Sequence, residues 1–295
     1  MTLTDLHQKF LLYCEVERQL SPQTIASYRS DFEQFKASLC EHRRFGLARQ
    51  DTVATFSVEA VRDDQYDMVP RGWSRTTCRR RLIQLNRSGT WLVKRGHLKD
   101  NPLAEIEIPR WEKRLPKVLP WSVAEEVVAG ESRARNRAIL ALLVYAALRR
   151  GEVVRLDVGS LLREGDVALR VRGKGNKERV VGLTSQAVTA IDTYLATRPG
   201  AQPDEPMFVV SGGCRITARV ITKAVARAAR RLKVHLYPHL FRHTCATRLH
   251  ELDEDLRVIQ EMLGHESVAT TQIYTRVSPS RQRRAIRKLE GGFSA

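Results

Sequence analysis

Apolar residues recur at spacings of three and four through "LTDLHQKFLLYCEVERQL" and again through "SPQTIASYRSDFEQFKASL". That rhythm lays one apolar stripe along a helix. In the second segment Ser21 stands at the N-cap and Pro22 at the first helical position, where its missing N–H costs nothing. The stretch "SRTTCRRRLIQLNRSGTWLVKRG" predicts one long helix or two shorter ones, with Leu82, Leu85, Leu92 and Val93 toward a core and Arg75, Arg79, Arg80 and Arg87 outward. The helical pattern runs from Leu3 to about Pro109. It breaks in "PLAEIEIPRWEKRLPKVLP", which has four prolines, charges of both signs and no sustained period. The pattern therefore predicts an all-helical domain over residues 1–109, a linker over 110–117 and a second domain over 118–295.

The second domain opens with "SVAEEVVAG", where Ser122 can cap a short helix. Next comes an apolar run from Ala138 to Leu148, too short to cross a bilayer and suited to a buried central helix. In "DVALRVRGKGNKERVVGL" the period switches to two: Val167, Leu169 and Val171 share a side, "GKGN" turns, and Val180 and Val181 lie in a return strand. This is a β-hairpin with Lys174 at its tip. Its glycines do not make a nucleotide-binding loop, because the phosphate-cradling G-x-x-x-x-G-K-[ST] leads into a helix and this turn leads into a strand. From Ser185 onward the pattern is helical again, apart from loops at "RPGAQPDEP" and "SGGCR". The fold class is mainly α, with a small antiparallel sheet in the second domain.

Charge narrows the partner. Lys and Arg number 50 against 33 Asp and Glu, a formal net charge of +17 over 295 residues. An excess of that size is the footprint of a partner carrying many phosphates. A membrane surface would also attract it, but there is neither an apolar run of transmembrane length nor a basic start followed by an apolar signal core. Nucleic acid is the expected partner, and some of the outward arginines, Arg75, Arg79 and Arg80 among them, are expected phosphate contacts. The five cysteines are scattered and form no CxxC pair. They suit a reducing cytoplasm rather than a disulfide framework.

The stretch "HLFRHTCATRL" concentrates candidate chemistry. His239 and His243, four apart on a helix, could grip zinc with Cys245 nearby. His239 and Arg242, three apart, could hold one phosphate from one helix face. Or the histidine is an ordinary satisfied one at a helix start. Zinc loses ground because the segment lacks the glutamate of HExxH and no second ligand pair stands at finger spacing elsewhere.

The polar segments "ALRRGE", "GKGNKER", "HLFRHT", "MLGHES" and "TTQIYTRV" follow one another through the second domain. In that order they resemble the tyrosine recombinase (phage integrase) family, most closely its compact Xer-like members, over nearly the whole chain. The pattern G-L-R-x-x-E is matched by Ala147 to Glu152, H-x-L-R-H by His239 to His243, L-G-H by Leu263 to His265, and the nucleophile by Tyr274. The resemblance implies a SAM-like core-binding domain followed by an α+β catalytic domain. It also implies double-stranded DNA as the partner, with strand cleavage through a 3′-phosphotyrosyl intermediate, then rejoining, in integration, excision or resolution. Carried over by motif, Tyr274 is the nucleophile and His239 its base. Arg149 and Arg242 stabilise charge on the phosphate oxygens, and His265 adds a hydrogen bond. Lys174 protonates the leaving oxygen, and Glu152 orients its neighbours. Because one ester is exchanged for another, the reaction implies no metal and no nucleotide cofactor. Strand exchange in the family implies a homotetramer on two DNA sites, or assembly with a related recombinase subunit. The tail "RQRRAIRKLEGGFSA", with Ile286 and Leu289, suits a short helix donated to a neighbour.

Competitors sit beside several of these residues: Arg150 beside Arg149, Lys177 beside Lys174, and Tyr237 as an alternative tyrosine. Tyr145 and Tyr194 are expected to pack, as are His243 and Cys245. The departures are Ala147, Gly151 and Phe241, where the family usually has glycine, serine and leucine. None removes a reacting atom. Two rivals remain open: a type IB topoisomerase, which reseals the original strand, and a DNA-binding protein without catalysis. The DNA site and the host process, whether chromosome dimer resolution, phage integration or movement of a mobile element, are not written in the chain.

Overall fold

A computed structural model describes residues 1–41, 51–108, 117–173 and 177–264, with side chains described up to residue 39 in the first segment. The chain divides into two compact units, residues 1–113 and 114–295. The linker read at 110–117 lies outside the described residues but for Lys117.

Unit 1 is helical throughout: α1 (Leu3–Val16), α2 (Pro22–Glu41), α3 (Val58–Met68) and α4 (Arg75–Lys94). Ser21 caps α2, its hydroxyl accepting from the Thr24 N–H at 3.3 Å. The segment read as one or two helices is the single helix α4, which Ser74 opens by accepting from the Thr77 N–H. Leu82, Leu85 and Leu92 are buried as the spacing requires, in a core shared with Leu6, Phe10, Phe32, Phe35 and Trp91. His7 belongs to that core. Its ring stacks on Phe32 with centroids 3.7 Å apart, and burial pushes its imidazole down to about 3, so it is neutral at pH 7.

Unit 2 holds α5 (Trp121–Ala129), α6 (Ala134–Val144), α7 (Arg150–Arg155), a three-stranded antiparallel sheet, then α8 (Ser185–Leu195), α9 (Ala218–Leu232), α10 (Pro238–Glu251) and α11 (Leu256–Leu263). The sheet has the order β1 (Leu161–Leu162), β2 (Ala168–Arg172), β3 (Glu178–Gly182). In the hairpin Leu169 faces Val181 and Val171 faces Arg179. The two-residue β1 carries too short a pattern to read from sequence. α6 is wrapped by α5, α8, α9 and α10. Every residue from Ala138 to Val144 is buried, in keeping with its place at the centre.

Two local expectations need correction. Ser122 does not cap α5: the helix starts one residue earlier at Trp121, Pro120 stands at its N-cap, and no side chain bonds there. The apolar run Ala138–Leu148 is not one helix. α6 ends at Val144, and the chain turns through Ala147 at φ 51, a left-handed conformation. Residues 146–148 are nonetheless buried. Apolar character therefore outlasts the helix, and only backbone conformation marks its end.

Candidate active site

Arg149 is the residue before α7. Its backbone N–H donates to Glu152 Oε2 at 2.8 Å and its Nη1 to Oε1 at 2.8 Å. A glutamate three residues into a helix can reach back to the N-cap N–H, which is how Glu152 comes to lie under Arg149. Arg150 is exposed and reaches Thr222 on α9, so the two neighbouring arginines have separate surroundings.

Glu152 has a second cationic partner. Arg179, on β3, places Nη1 and Nη2 at 2.9 Å from Oε1 and Oε2 as a two-pronged pair. The Glu152 side chain is 1% exposed. Burial alone would raise its pKa, but the hydrogen bonds and charge of Arg179, with those of Arg149, pull it down to about 2. It is an anion at pH 7.

Arg242 lies on α10 one turn after His239 and is 3% exposed. Its Nη1 donates to the Ala147 carbonyl at 2.8 Å, and its Nη2 to the Leu263 carbonyl. Arg149 Nη2 donates to the Gly264 carbonyl at 3.0 Å, and Arg179 Nε to the Met262 carbonyl at 2.9 Å. Three consecutive carbonyls at the end of α11 thus receive three different guanidiniums. A helix C-terminus offers orphan carbonyls and partial negative charge, so it gathers cations. Gly264 ends α11 in the left-handed conformation at φ 61, which glycine adopts without a Cβ penalty.

His239 is near the start of α10 and exposed. Desolvation of the ring and the positive charge of Arg242, Arg149 and Arg150 lower its pKa, while Glu152 acts in the other direction. The ring is therefore neutral at pH 7 and able to accept a proton. His243 is half-buried, and its pKa is lowered by desolvation, then by His239 and Arg242. Cys245 is buried and its thiol is pushed up to about 12, which leaves it inert as a nucleophile. Tyr194 is buried against Phe208, and Tyr145 is half-buried beside Trp121.

The structure therefore brings Arg149, Glu152, His239 and Arg242 together. Lys174, His265, Tyr274 and the tail with Ile286 and Leu289 lie outside the described residues. Lys177 is described, and the Gly173 N–H donates to its carbonyl at 2.7 Å as the hairpin closes. Among the described residues no group of three His, Cys, Asp or Glu could hold a metal ion, and no helix is long and apolar enough to cross a membrane.

In unit 1, Arg79, Arg80 and Arg87 line a groove with Gln23, Thr24 and Ser27 between α2 and α4. Arg75 is exposed at the start of α4. Arg80 is not a bare outward charge: it pairs two-pronged with the buried Asp31, at 2.5 and 2.7 Å, and donates to Ser27. Arg87 donates to the Tyr28 hydroxyl.

Sequence reasoning passed over Arg179. A signal was available: alternation from the buried Val181 puts position 179 on the inward face, opposite buried Val171. A charged residue at an inward strand position needs a buried partner.

Residues 122–281 match the phage integrase family, and residues 8–96 match the N-terminal SAM-like domain of phage integrases. The chain is 38% identical over 278 residues to the tyrosine recombinase XerC of Haemophilus influenzae strain PittEE, covering 90% of each protein. It is 37% identical over 276 residues to XerC of Shewanella amazonensis, covering 91% of this chain and 90% of that one. Among solved structures, the XerH site-specific recombinase bound to its difH substrate aligns with TM-score 0.71 and 22% identity, over 95% of this chain and 83% of that one. A lambda integrase dimer bound to a core site aligns with TM-score 0.72 and 14% identity, over 92% and 97%. These two likenesses are of fold.

Proposed function

The chain belongs to the phage integrase family, the tyrosine recombinases, and from that premise we propose that it cuts and rejoins DNA strands by attack of Tyr274 on a phosphodiester held between Arg149 and Arg242. The observation that carries this reading is the convergence of those two arginines on adjacent carbonyls, Gly264 and Leu263, immediately before His265. Two guanidiniums so close can donate to both non-bridging oxygens of one phosphate, where charge builds in the transition state.

The roles follow from acid–base chemistry. A phenol with an ordinary pKa of about 10 attacks poorly at neutral pH and needs a base. His239 is neutral at that pH because desolvation and nearby cations disfavour its charged form. It takes the Tyr274 proton as the phenolic oxygen bonds to phosphorus. The 5′-oxygen leaves with a proton from Lys174, and His265 donates to the phosphate. The reverse exchange, with a different 5′-hydroxyl attacking the phosphotyrosine, completes recombination. Ester is traded for ester, so the scheme uses no metal and no nucleotide. Arg75 and Arg79 serve the DNA backbone, and Arg80 does so while tied to Asp31. The acting form on DNA is a homotetramer, or an assembly with a related recombinase subunit, joined through the basic tail. The setting is cytoplasmic DNA, whether of the chromosome or of a mobile element.

The test uses a pool of nicked duplexes randomised in sequence, so that a strand once cleaved cannot be resealed. Wild type should capture a subset as a covalent adduct, in chelator as well as in plain buffer. Tyr274→Phe should capture none, and Arg242→Ala should slow capture about 100-fold or more while duplex binding persists. An adduct that persists in Tyr274→Phe removes Tyr274 as nucleophile, and loss of activity in chelator reinstates a metal.

A further inference from the structure

We propose that Arg179 is a positioning residue for strand cleavage: by occupying the Glu152 carboxylate and bonding the end of α11 it keeps Arg149 available to the phosphate. The inference rests on the reading of Arg149 as a phosphate ligand.

The charges around Glu152 carry the argument. A buried carboxylate must be paired. Arg179 supplies both prongs of its guanidinium to the two oxygens, at 2.9 Å each, and is only 13% exposed. Arg149 supplies one prong and its backbone N–H, and its side chain is 34% exposed. The more buried arginine therefore takes both Glu152 oxygens, and the more open one, bonded to one of them and to the Gly264 carbonyl, keeps its remaining donors toward solvent or a ligand. With Arg179 absent, Arg149 would be the one guanidinium the structure shows on that carboxylate, and its charge would be cancelled where the phosphate needs it.

Arg179 also joins three elements. Its own strand is β3, its guanidinium holds Glu152 of α7, and its Nε bonds the Met262 carbonyl of α11. A Cβ built on Gly264 would meet Arg179 Nη1 at 3.1 Å and its Cδ and Cζ at 3.2 Å. Glycine at 264 is thus favoured twice, by the left-handed backbone and by the arginine lying close against it. A lysine cannot reproduce these contacts, because it lacks the planar fork that serves two oxygens and a carbonyl at once.

The experiment compares Arg179→Met, Arg179→Lys and the double variant Arg179→Met with Glu152→Gln, all in the full chain, on the captured nicked duplexes. Arg179→Met should form adduct about 100-fold more slowly, with duplex affinity changed only a few-fold. The double variant should recover about 10-fold or more of that loss when rates are compared on matched folded fractions, because the competing carboxylate is gone; recovery of stability alone, with no faster rate per folded molecule, would mark a merely structural role and overturn the proposal. Arg179→Lys should fall between wild type and Arg179→Met, and it carries the test if Arg179→Met does not fold. A wild-type rate in Arg179→Met or Arg179→Lys, or a double variant no faster than the single, overturns the proposal. An adduct that survives Tyr274→Phe instead overturns the assignment of the site. One readout needs no cleavage at all: the Glu152 carboxyl, followed by carbon NMR, should titrate higher in Arg179→Met than in wild type, and an unchanged titration also overturns the proposal.

Discussion

Among the carboxylates that each unit buries against arginine, Asp64 and Glu152 are shifted in opposite directions. Asp64 in unit 1 and Glu152 in unit 2 have side chains 2% and 1% exposed. Asp64 has one guanidinium, Arg81, bonded through a single oxygen at 2.5 Å, and burial pushes it up to about 6 against that attraction. Its Oδ2 and the Arg81 Nε are buried without a hydrogen-bond partner among the described residues. Glu152 has two guanidiniums and a backbone N–H on its two oxygens, and sits at about 2. Burial opposes the charged form in both, and at Glu152 the hydrogen bonds and charge of two arginines outweigh it, whereas at Asp64 Arg81, Ser38 and Arg71 do not, with Asp67 acting beside burial. A pair with spare lone pairs is under-satisfied and structural. A fully satisfied carboxylate fixes the geometry of the cations around it, which is what a phosphate site requires.

Removing each carboxylate tests that contrast with the largest expected effect. Glu152→Ala should cost about 3–5 kcal/mol of stability, because two guanidiniums lose their counter-ion, and should also slow adduct formation in the folded fraction. Asp64→Ala should cost stability in the same range, since Arg81 is left buried, yet leave the cleavage rate of the folded protein unchanged. Urea unfolding with capture assays on matched folded fractions distinguishes the two. A cleavage defect in Asp64→Ala as large as that in Glu152→Ala would dissolve the comparison.

The pH behaviour sharpens it at smaller scale. Glu152 is depressed, so its contribution is present above its ordinary value of 4.5 and is lost as pH falls through about 2; the shift is worth about 3 kcal/mol. Asp64 is raised, so its contribution is complete below 3.8 and is lost as pH rises through about 6. His7 in the same unit runs against Asp64: its imidazole is depressed to about 3, so its contribution is present above 6.5 and is lost as pH falls toward 3. The overall stability of unit 1 therefore mixes opposing terms, and the carboxyls have to be read singly. Carbon NMR should show Asp64 titrating near 6 and Glu152 with no step above about 3. Coincident titrations would mean that the second arginine does not set the sign.

The same contrast separates what sequence conveys from what it hides. Helix spacing gave α1, α2 and α4 with the Ser21 cap, and alternation gave the hairpin, because both are periodic and each period reports one buried face. Motif order brought Arg149, Glu152, His239 and Arg242 forward before their contacts were known. Pairing was not legible. That Arg80 is tied to Asp31 and Arg81 to Asp64, 49 and 17 residues away, follows from packing of helices and leaves no local mark. Arg179 is the instructive miss, since a guanidinium in a strand reads as surface until the register puts it opposite Val171.

The smallest predicted effect concerns the turn between α6 and α7. Ala147 holds φ 51 and is fully buried among Cys245, Ala246, Ile259 and Leu263, while its carbonyl accepts from Arg242. The left-handed conformation costs a residue with a Cβ about 1–2 kcal/mol, which Ala147→Gly would relieve. Against this, glycine gives up a buried methyl, about 0.8 kcal/mol, and has more freedom to lose on folding, about 0.5–1 kcal/mol. The terms nearly cancel, so Ala147→Gly should move the unfolding free energy by less than about 1 kcal/mol and leave cleavage within a few-fold of wild type. A loss well beyond that would show that the methyl packs the Arg242 carbonyl partner into place. Satisfaction of the site would then depend on apolar contact at this turn as well as on the guanidiniums around Glu152.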